Sequence, residues 1–190
     1  PKDRYNICKE AVIKSHYHIC LLMQSSKKDY KAAPREHYQL CLQAYKKAHR
    51  GGVPISSYLE LNLAALAETY YPEYFEITQY KALADSMYVP GMIQYGRCLL
   101  HGKYVDKDAA EGIKQLVAAC DLWKARDKRL IDKEALMHAF IYLGDYFSRS
   151  DDDIDKSIKY YQQSYEISGY PDVGKALAIK LFEKEDYVNA

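Results

Sequence analysis

Two His-x-x-x-Cys pairs are the residues whose types and spacing come nearest to a metal site. His16 and Cys20 lie four residues apart, and so do His37 and Cys41. Imidazole and thiolate are common ligands of structural zinc, and two such pairs on neighbouring antiparallel helices would complete a Cys₂His₂ set. The alternative is that each cysteine is a buried thiol beside a hydrogen-bonded histidine. We favour the alternative and expect no metal or other cofactor, because the short Cys-x-x-Cys sequence typical of zinc sites is missing.

No other arrangement of reactive residues points to catalysis. The sequence has no nucleophile elbow, P-loop, dinucleotide-binding motif or His-Glu-x-x-His motif. Its acidic residues are scattered, without a pair whose spacing identifies general acid–base chemistry. We therefore expect that the protein is not an enzyme.

Composition restricts the remaining classes of function. The chain has 190 residues, 48% of them apolar, and its 27 basic residues nearly balance its 26 acidic ones. A balanced charge argues against nucleic acid as a partner, because that binding usually needs a basic surplus on one face. No apolar run approaches the roughly 18 residues that a membrane-spanning helix needs. We therefore expect no membrane span in this sequence.

Cysteine usage and the N-terminus bear on the compartment. Five cysteines at irregular spacing do not form a disulfide framework, so we expect buried thiols in a cytoplasmic protein. A bridge between Cys98 and Cys120 stays open, and no secretory signal is present. Because the sequence begins at Pro1 rather than Met, we expect it to be part of a longer chain, in which a leader, an anchor or another domain could precede or follow it.

The elements that would position any site are helices. In the first half of the chain, apolar periodicity predicts a helix over 4–23 and a second one that ends at Gly51-Gly52. Ser57 and Glu60 have the spacing of a capping box, which predicts the start of a third helix. A partner helix is predicted over 73–87, after a proline break.

The second half of the chain has clearer start and stop signals. Gly102 is predicted to end a helix that begins at a proline, and Asp108 with Glu111 is predicted to cap the next helix. A further pair is predicted over 133–168. A last helix is predicted over 172–182.

Residues 89–120 resemble one unit of a Sel1-like repeat, a relative of the tetratricopeptide repeat. That family's pattern is roughly L-G-x-x-Y-x-x-G-x-G-V-x-x-D-x-x-K-A-x-x-W-Y-x-K-A-A. The residues in register are Gly96, Gly102, Val105, Asp108 and the pair Ala118-Ala119. Residues 136–170 resemble the family too, since Leu143-Gly144 and Phe147 match its L-G-x-x-Y, although this unit lacks the two loop glycines.

The resemblance implies an all-α fold, a right-handed α-solenoid of stacked antiparallel helix pairs. Residues 1–190 then form one domain with approximate repeats 4–52, 53–88, 89–125 and 132–170, and with a capping helix or half repeat over 171–190. Small residues let the helices of a pair approach closely. The structural repeat positions are Gly96, Gly102, Gly112 and Gly144.

In the tetratricopeptide family the first helix of each pair lines a concave groove. Residues are assigned to that groove by their offset from Gly96, from Gly144 and, more loosely, from Ala178. They are Ile93, Arg97, Leu100, His101, Ile141, Asp145, Ser148, Arg149, Lys175, Ile179 and Phe182. Their mixture of apolar and charged side chains suits a peptide held by apolar contacts and oriented by charge. The alternative is that half of them bury against neighbouring helices.

The resemblance therefore implies a scaffold or adaptor that binds a protein or peptide segment in the groove. Two other functions stay open. One is a structural subunit that associates with itself into a homo-oligomer. The other is a helical domain that binds zinc through the two His-x-x-x-Cys pairs.

Overall fold

A computed structural model describes residues 9–15, 17–18, 33–125, 130–149 and 153–189. Within these ranges all regular secondary structure is helical and no strand occurs. The all-α fold class predicted from the sequence is therefore confirmed. Residues 9–15 and 17–18 are helical and fall within the helix predicted over 4–23. The helices that follow are α1 (Ala33–Arg50), α2 (Ser57–Tyr70), α3 (Ile77–Asp85), α4 (Val89–His101), α5 (Ala109–Ala125), α6 (Leu130–Phe147), α7 (Ile154–Ser168) and α8 (Pro171–Asn189).

The chain divides into two compact units, Pro1–Glu76 and Ile77–Ala190. The first unit has its own core, in which Ile13, Tyr38 and Leu63 are buried together. The second unit has a separate core that includes Ile93 and Leu116. Each unit therefore buries its own set of apolar side chains.

A buried tyrosine organises the core of the first unit. The Tyr38 ring stacks on that of Tyr71 with 4.7 Å between centroids, and its hydroxyl donates to the Leu63 carbonyl at 3.2 Å. The Cys41 thiol lies beside it and donates to the Ile13 carbonyl at 3.3 Å. Both buried polar groups are thus satisfied, which lets them lie in an apolar core.

Two details predicted for the first half are wrong. Ser57 is not a cap, because α2 begins at that residue; the N-cap is Ser56, whose side chain bonds Glu10 at 3.0 Å instead of the helix. A helix forms within the range predicted as 73–87, but its predicted start is also wrong. A short 3₁₀ helix, Pro72–Tyr74, leads into the extended residue Phe75, and α3 begins only at Ile77. Phe75 packs against the first core, so tertiary packing interrupts the helix there.

In the second unit the local signals around α4 and α5 act as predicted. Gly102 ends α4 with φ of 69°, a left-handed backbone that glycine adopts without steric cost. The Asp108 carboxylate accepts the Glu111 backbone N–H at 2.9 Å, which caps α5. Only half of the capping box forms, since the Glu111 side chain instead accepts from Gln115 at 2.9 Å.

Glycines occupy several close helix contacts of the second unit. A Cβ atom on Gly112 would lie 2.8 Å from the Leu100 nitrogen and 3.0 Å from the Gly96 carbonyl oxygen. A Cβ atom on Gly96 would lie 3.1 Å from the Gly112 carbonyl oxygen, and one on Gly144 would lie 2.9 Å from the Tyr161 ring. The close approach predicted at these glycines is therefore confirmed.

The order of packing within the second unit follows the chain. Helix α4 packs against α5, and α6 packs against both of them; α7 packs on α6, and α8 on α7. Two buried serines hold α7 to α6, with Ser157 donating to the Gly144 carbonyl at 3.0 Å and Ser164 to the Met137 carbonyl at 3.2 Å. These bonds satisfy hydroxyl groups that the packing removes from water.

The last helix is longer than predicted and has a different contact residue. It runs over Pro171–Asn189 rather than 172–182. Ala178, used as its small reference residue, is exposed. The close contact is made by Gly174, where a Cβ atom would lie 2.8 Å from the Tyr165 ring.

Candidate binding surface

A polar and aromatic surface forms where the C-terminal parts of α4 and α6 lie side by side. It consists of Arg97 and His101 on α4, Tyr142 and Asp145 on α6, and Arg149 just after α6; we call it the α4–α6 surface. The His101 and Tyr142 rings meet edge to face, with 6.4 Å between their centroids. Four of the five residues were assigned to the groove from the sequence, and the structure brings these four together.

Two other predicted groove residues do not reach this surface. Ile93 is fully buried and Leu100 is 2% exposed, and both belong to the core of the second unit. The prediction that they line a groove is wrong, because both side chains are buried in a core that includes residues of α5 and α6. Ile141 is half-buried, as is Ser148, whose hydroxyl bonds the Asp145 carbonyl at 2.8 Å.

The pKa of His101 reflects the charges of the α4–α6 surface. Partial burial lowers the pKa of His101, and the positive charges of Arg149 and Arg97 lower it further. Lys107, in the loop after α4, acts in the same direction, whereas the Asp145 carboxylate opposes the shift. The imidazole therefore lies in a region where positive charge exceeds negative charge.

Asp145 is held in place by a neighbour. The Tyr161 hydroxyl donates to its carboxylate at 2.6 Å. Burial raises the pKa of Tyr161, and the hydrogen bond to Asp145 raises it further, so the phenol keeps its proton. The bond holds one oxygen of the carboxylate and links α7 to the α4–α6 surface.

An aromatic row accompanies these charges. Tyr142 is half-buried between two imidazoles, edge to face with His101 and stacked on His138 at 6.3 Å. Sequence reasoning missed Tyr142, His138 and Tyr161 as members of this region. A usable signal was present, since Tyr142 follows His138 by four residues and so shares its helix face.

The predicted groove residues of α8 are exposed. Phe182 is 65% and Ile179 is 47% exposed, and Lys175 is exposed as well. Lys180 on the same helix donates to the Ser148 carbonyl at 3.2 Å. This bond ties α8 to the chain just after α6, next to Arg149.

The proposed zinc ligands lie only partly within the described residues. His16 and Cys20 fall outside them, and Cys41 is a buried thiol bonded to a backbone carbonyl. Among the residues that are described, no three His, Cys, Asp or Glu side chains converge on a common point. Neither Cys98 nor Cys120 is in a disulfide, so no bridge joins them, and burial raises the pKa of Cys120 to about 12.

A shallow pocket of about 280 Å³ lies at the other end of α6. The start of α6, the end of α7 and the turn before α8 form its walls. Its lining residues are Lys133, Glu134, Met137, Ile167, Ser168 and Tyr170. It shares no residue with the α4–α6 surface.

No protein-family model, no curated protein and no solved structure matches this chain. In the part of the chain that is described, no helix is both long enough and apolar enough to cross a membrane.

Proposed function

We propose that the protein is an interaction scaffold that binds a peptide or protein segment along the α4–α6 surface. The proposal includes the arrangement behind it, a solenoid of Sel1-like or tetratricopeptide-like helix pairs, with the groove continuing onto the exposed side of α8. The residues of the α4–α6 surface interact through aromatic rings and charges, which suits a binding role rather than a catalytic one.

One observation carries this proposal. Helix α4 packs against its pair partner α5 through Gly96 and Gly112 and also against the first helix of the next pair, α6. That is how consecutive helix pairs stack in repeat proteins. Arg97, His101 and Arg149 lie near one another on the α4–α6 surface, since both arginines act on the His101 imidazole.

The chemistry of the surface supports binding of another chain. Guanidinium groups and half-exposed aromatic rings are enriched at protein interfaces, where rings supply contact area and arginine supplies directed hydrogen bonds. Tyr142, held between two imidazoles, offers a ring that needs little reordering when a partner binds.

The test is selection of peptides from a random-sequence phage library on the immobilised protein, followed by calorimetric measurement of Kd. Charge reversal in the double variant Arg97→Glu, Arg149→Glu should weaken the selected peptides by about tenfold or more, equivalent to about 1.4 kcal/mol. The matched control is Lys114→Glu with Lys159→Glu, which makes the same charge change on the exposed sides of α5 and α7.

Thermal melts by circular dichroism accompany both double variants. We expect each to stay folded, because the four side chains are exposed or half-buried and lie outside the cores. Equal affinity of the selected peptides for wild type and the Arg97/Arg149 variant would remove the α4–α6 surface as the binding site.

A second candidate function is self-association through α8. Ile179, Leu181 and Phe182 are 47%, 45% and 65% exposed, an apolar patch of the kind that contacts other chains. Light scattering after gel filtration should then give a mass above 22.0 kDa that falls in the double variant Ile179→Ser, Phe182→Ser. Leu40→Ser, at a similarly exposed leucine of the first unit, is the control. A monomeric mass for the wild-type chain would exclude this alternative.

A further inference from the structure

Cations outnumber carboxylates among the groups that act on His101 in the α4–α6 surface. Three cations act on His101, namely Arg97 from its own helix, Lys107 from the following loop and Arg149 from the end of α6. One carboxylate, Asp145, opposes them, and it already accepts the Tyr161 hydroxyl. Three cations and one carboxylate therefore act on His101, and one of the cations, Lys107, lies outside the α4–α6 surface itself.

The cations differ in how they are held. The Arg97 Nε–H donates to the Gln94 side-chain oxygen at 3.0 Å, so the side chain is oriented by its own helix turn. Arg149 and Lys107 are exposed. A guanidinium that is oriented and half-buried binds a carboxylate more strongly than a freely moving ammonium does.

An apolar contact lies next to these charges. The Tyr142 ring is half-buried and bordered by His101 on one side and His138 on the other. His101 contacts the Tyr142 ring, and the charges of Arg97 and Arg149 both act on His101. A partner's aromatic or aliphatic side chain packed on the Tyr142 ring would therefore lie near both arginines.

We infer that the segment bound at the α4–α6 surface presents an aspartate or glutamate side chain to Arg97 and Arg149, next to an apolar side chain that packs on Tyr142. This inference rests on the proposed function and names the chemistry of the partner. The carboxylate accepts hydrogen bonds from guanidinium groups, and the neighbouring side chain supplies the area that makes a short segment bind.

A peptide fits this surface better than nucleic acid does. The fixed Asp145 carboxylate lies among the cations and would repel a run of phosphates, which needs a continuous basic track. A single carboxylate side chain can approach the arginines and leave Asp145 paired with Tyr161.

The pH dependence of binding provides an independent readout. In the free protein the pKa of His101 is lowered, and a bound carboxylate would raise it by favouring the imidazolium. Binding then takes up a proton, so affinity rises as pH falls through the His101 pKa of the complex and levels off below that of the free protein. The peptide carboxylate stays ionised over this window, above its own pKa of about 4.3.

The experiment uses the full chain and fluorescein-labelled peptides taken from the library selection. For each peptide, versions with glutamate, glutamine or lysine at the acidic position are compared by fluorescence anisotropy. We expect the glutamine version to bind about tenfold more weakly, the change expected for one charge-assisted hydrogen-bonded pair. In Arg149→Glu the order should reverse, so that the lysine version binds better than the glutamate version.

The possible outcomes distinguish a failure of this inference from a failure of the proposed function. Peptides selected without enrichment in aspartate or glutamate would overturn this inference and leave the proposed function standing. Failure to select any peptide would overturn the proposed function and this inference together. A labelled 20-nucleotide single strand that binds more tightly than the acidic peptides would show that the cations serve nucleic acid instead. Arg149→Lys, which keeps the charge, should retain most of the preference for glutamate.

Discussion

Tyr104 occupies a backbone conformation that its side chain disfavours. It lies in the loop between α4 and α5 with φ of 67°, and its ring is 43% exposed with the Lys103 ammonium 4.9 Å from the ring centroid. A Cβ atom in the left-handed region costs roughly 1–2 kcal/mol. Glycine at this position would relieve the strain, because it has no Cβ atom.

We predict that Tyr104→Gly raises the free energy of unfolding by about 1 kcal/mol, because relief of the Cβ contact exceeds the added freedom of the unfolded chain. The control is Tyr104→Ala, which removes the ring and keeps the Cβ atom. Urea unfolding should show stabilisation for glycine only. Stabilisation by alanine as well would assign the effect to the exposed ring and not to the backbone.

The second prediction at this scale concerns His101. An NMR titration should place its pKa below the ordinary histidine value of about 6.5. Arg149→Gln should move it upward, because this substitution removes the largest opposing charge. Lys159→Gln, on the exposed side of α7, is the control and should leave the titration unchanged. A His101 pKa that does not respond to Arg149→Gln would show that the two side chains are not close in solution.

Residue-level signals were the most predictable part of the structure where they act locally. Gly102 and Asp108 work through bonds within a few residues of themselves, and both have the roles expected from the sequence. Ser57 failed for a non-local reason. The Ser56 hydroxyl donates to Glu10, which is far away in the chain. The Glu60 carboxylate accepts from the Tyr45 hydroxyl at 3.1 Å.

At the scale of elements, the α4–α5 contact depends on having no side chain at Gly112. Alanine would favour the helix by about 0.8–1.0 kcal/mol over glycine if there were room for it. Its Cβ atom would instead meet the backbone of α4 at 2.8 Å, and backbone atoms cannot move aside as a flexible side chain can. Whether alanine at position 112 stabilises or destabilises the protein therefore tests the α4–α5 contact.

We predict that Gly112→Ala lowers the free energy of unfolding by about 1–3 kcal/mol through overpacking. Gly96→Leu should destabilise by a similar amount, since its side chain points at the Gly112 carbonyl and Leu116. Ala118→Leu adds bulk on the exposed side of the same helix, α5, and should change stability by less than about 0.5 kcal/mol. A more stable Gly112→Ala protein would mean that α4 and α5 lie farther apart than described.

Contacts between elements explain why the residues assigned to the groove do not all lie together. The offsets from Gly96 and Gly144 selected Arg97, His101, Asp145 and Arg149, which the structure brings near one another. They also selected Ile93 and Leu100, because spacing along one helix does not reveal that both are buried in the core of the second unit. The α8 residues were assigned from Ala178, but Gly174 makes the contact, and no local pattern in the helix distinguishes which small residue faces α7.

At the scale of the whole molecule, the two cores share no residue. The second core draws on α3 to α7, all of which lie within Ile77–Ala190. A segment with its own buried core can fold without the rest of the chain. The first core likewise lies entirely within Pro1–Glu76.

We predict that residues 77–190 expressed alone give a helical circular dichroism spectrum and a cooperative thermal transition. A shorter fragment, 102–190, lacks α4 and with it Ile93 and Leu100, so it should lose that transition. If 77–190 is unfolded while the full chain is folded, the second core does not suffice to hold its unit together.

The buried thiols allow the opening rate of each unit to be measured separately. Alkylating reagents attack thiolates, and Cys41, Cys98 and Cys120 are all shielded from solvent. Once Cys8 and Cys20, outside the described residues, are replaced by serine, every modification event requires the structure to open around one of the three. Cys41 then records openings of the first unit and the other two record those of the second, so a single labelling time course yields two separate opening rates from native cysteines.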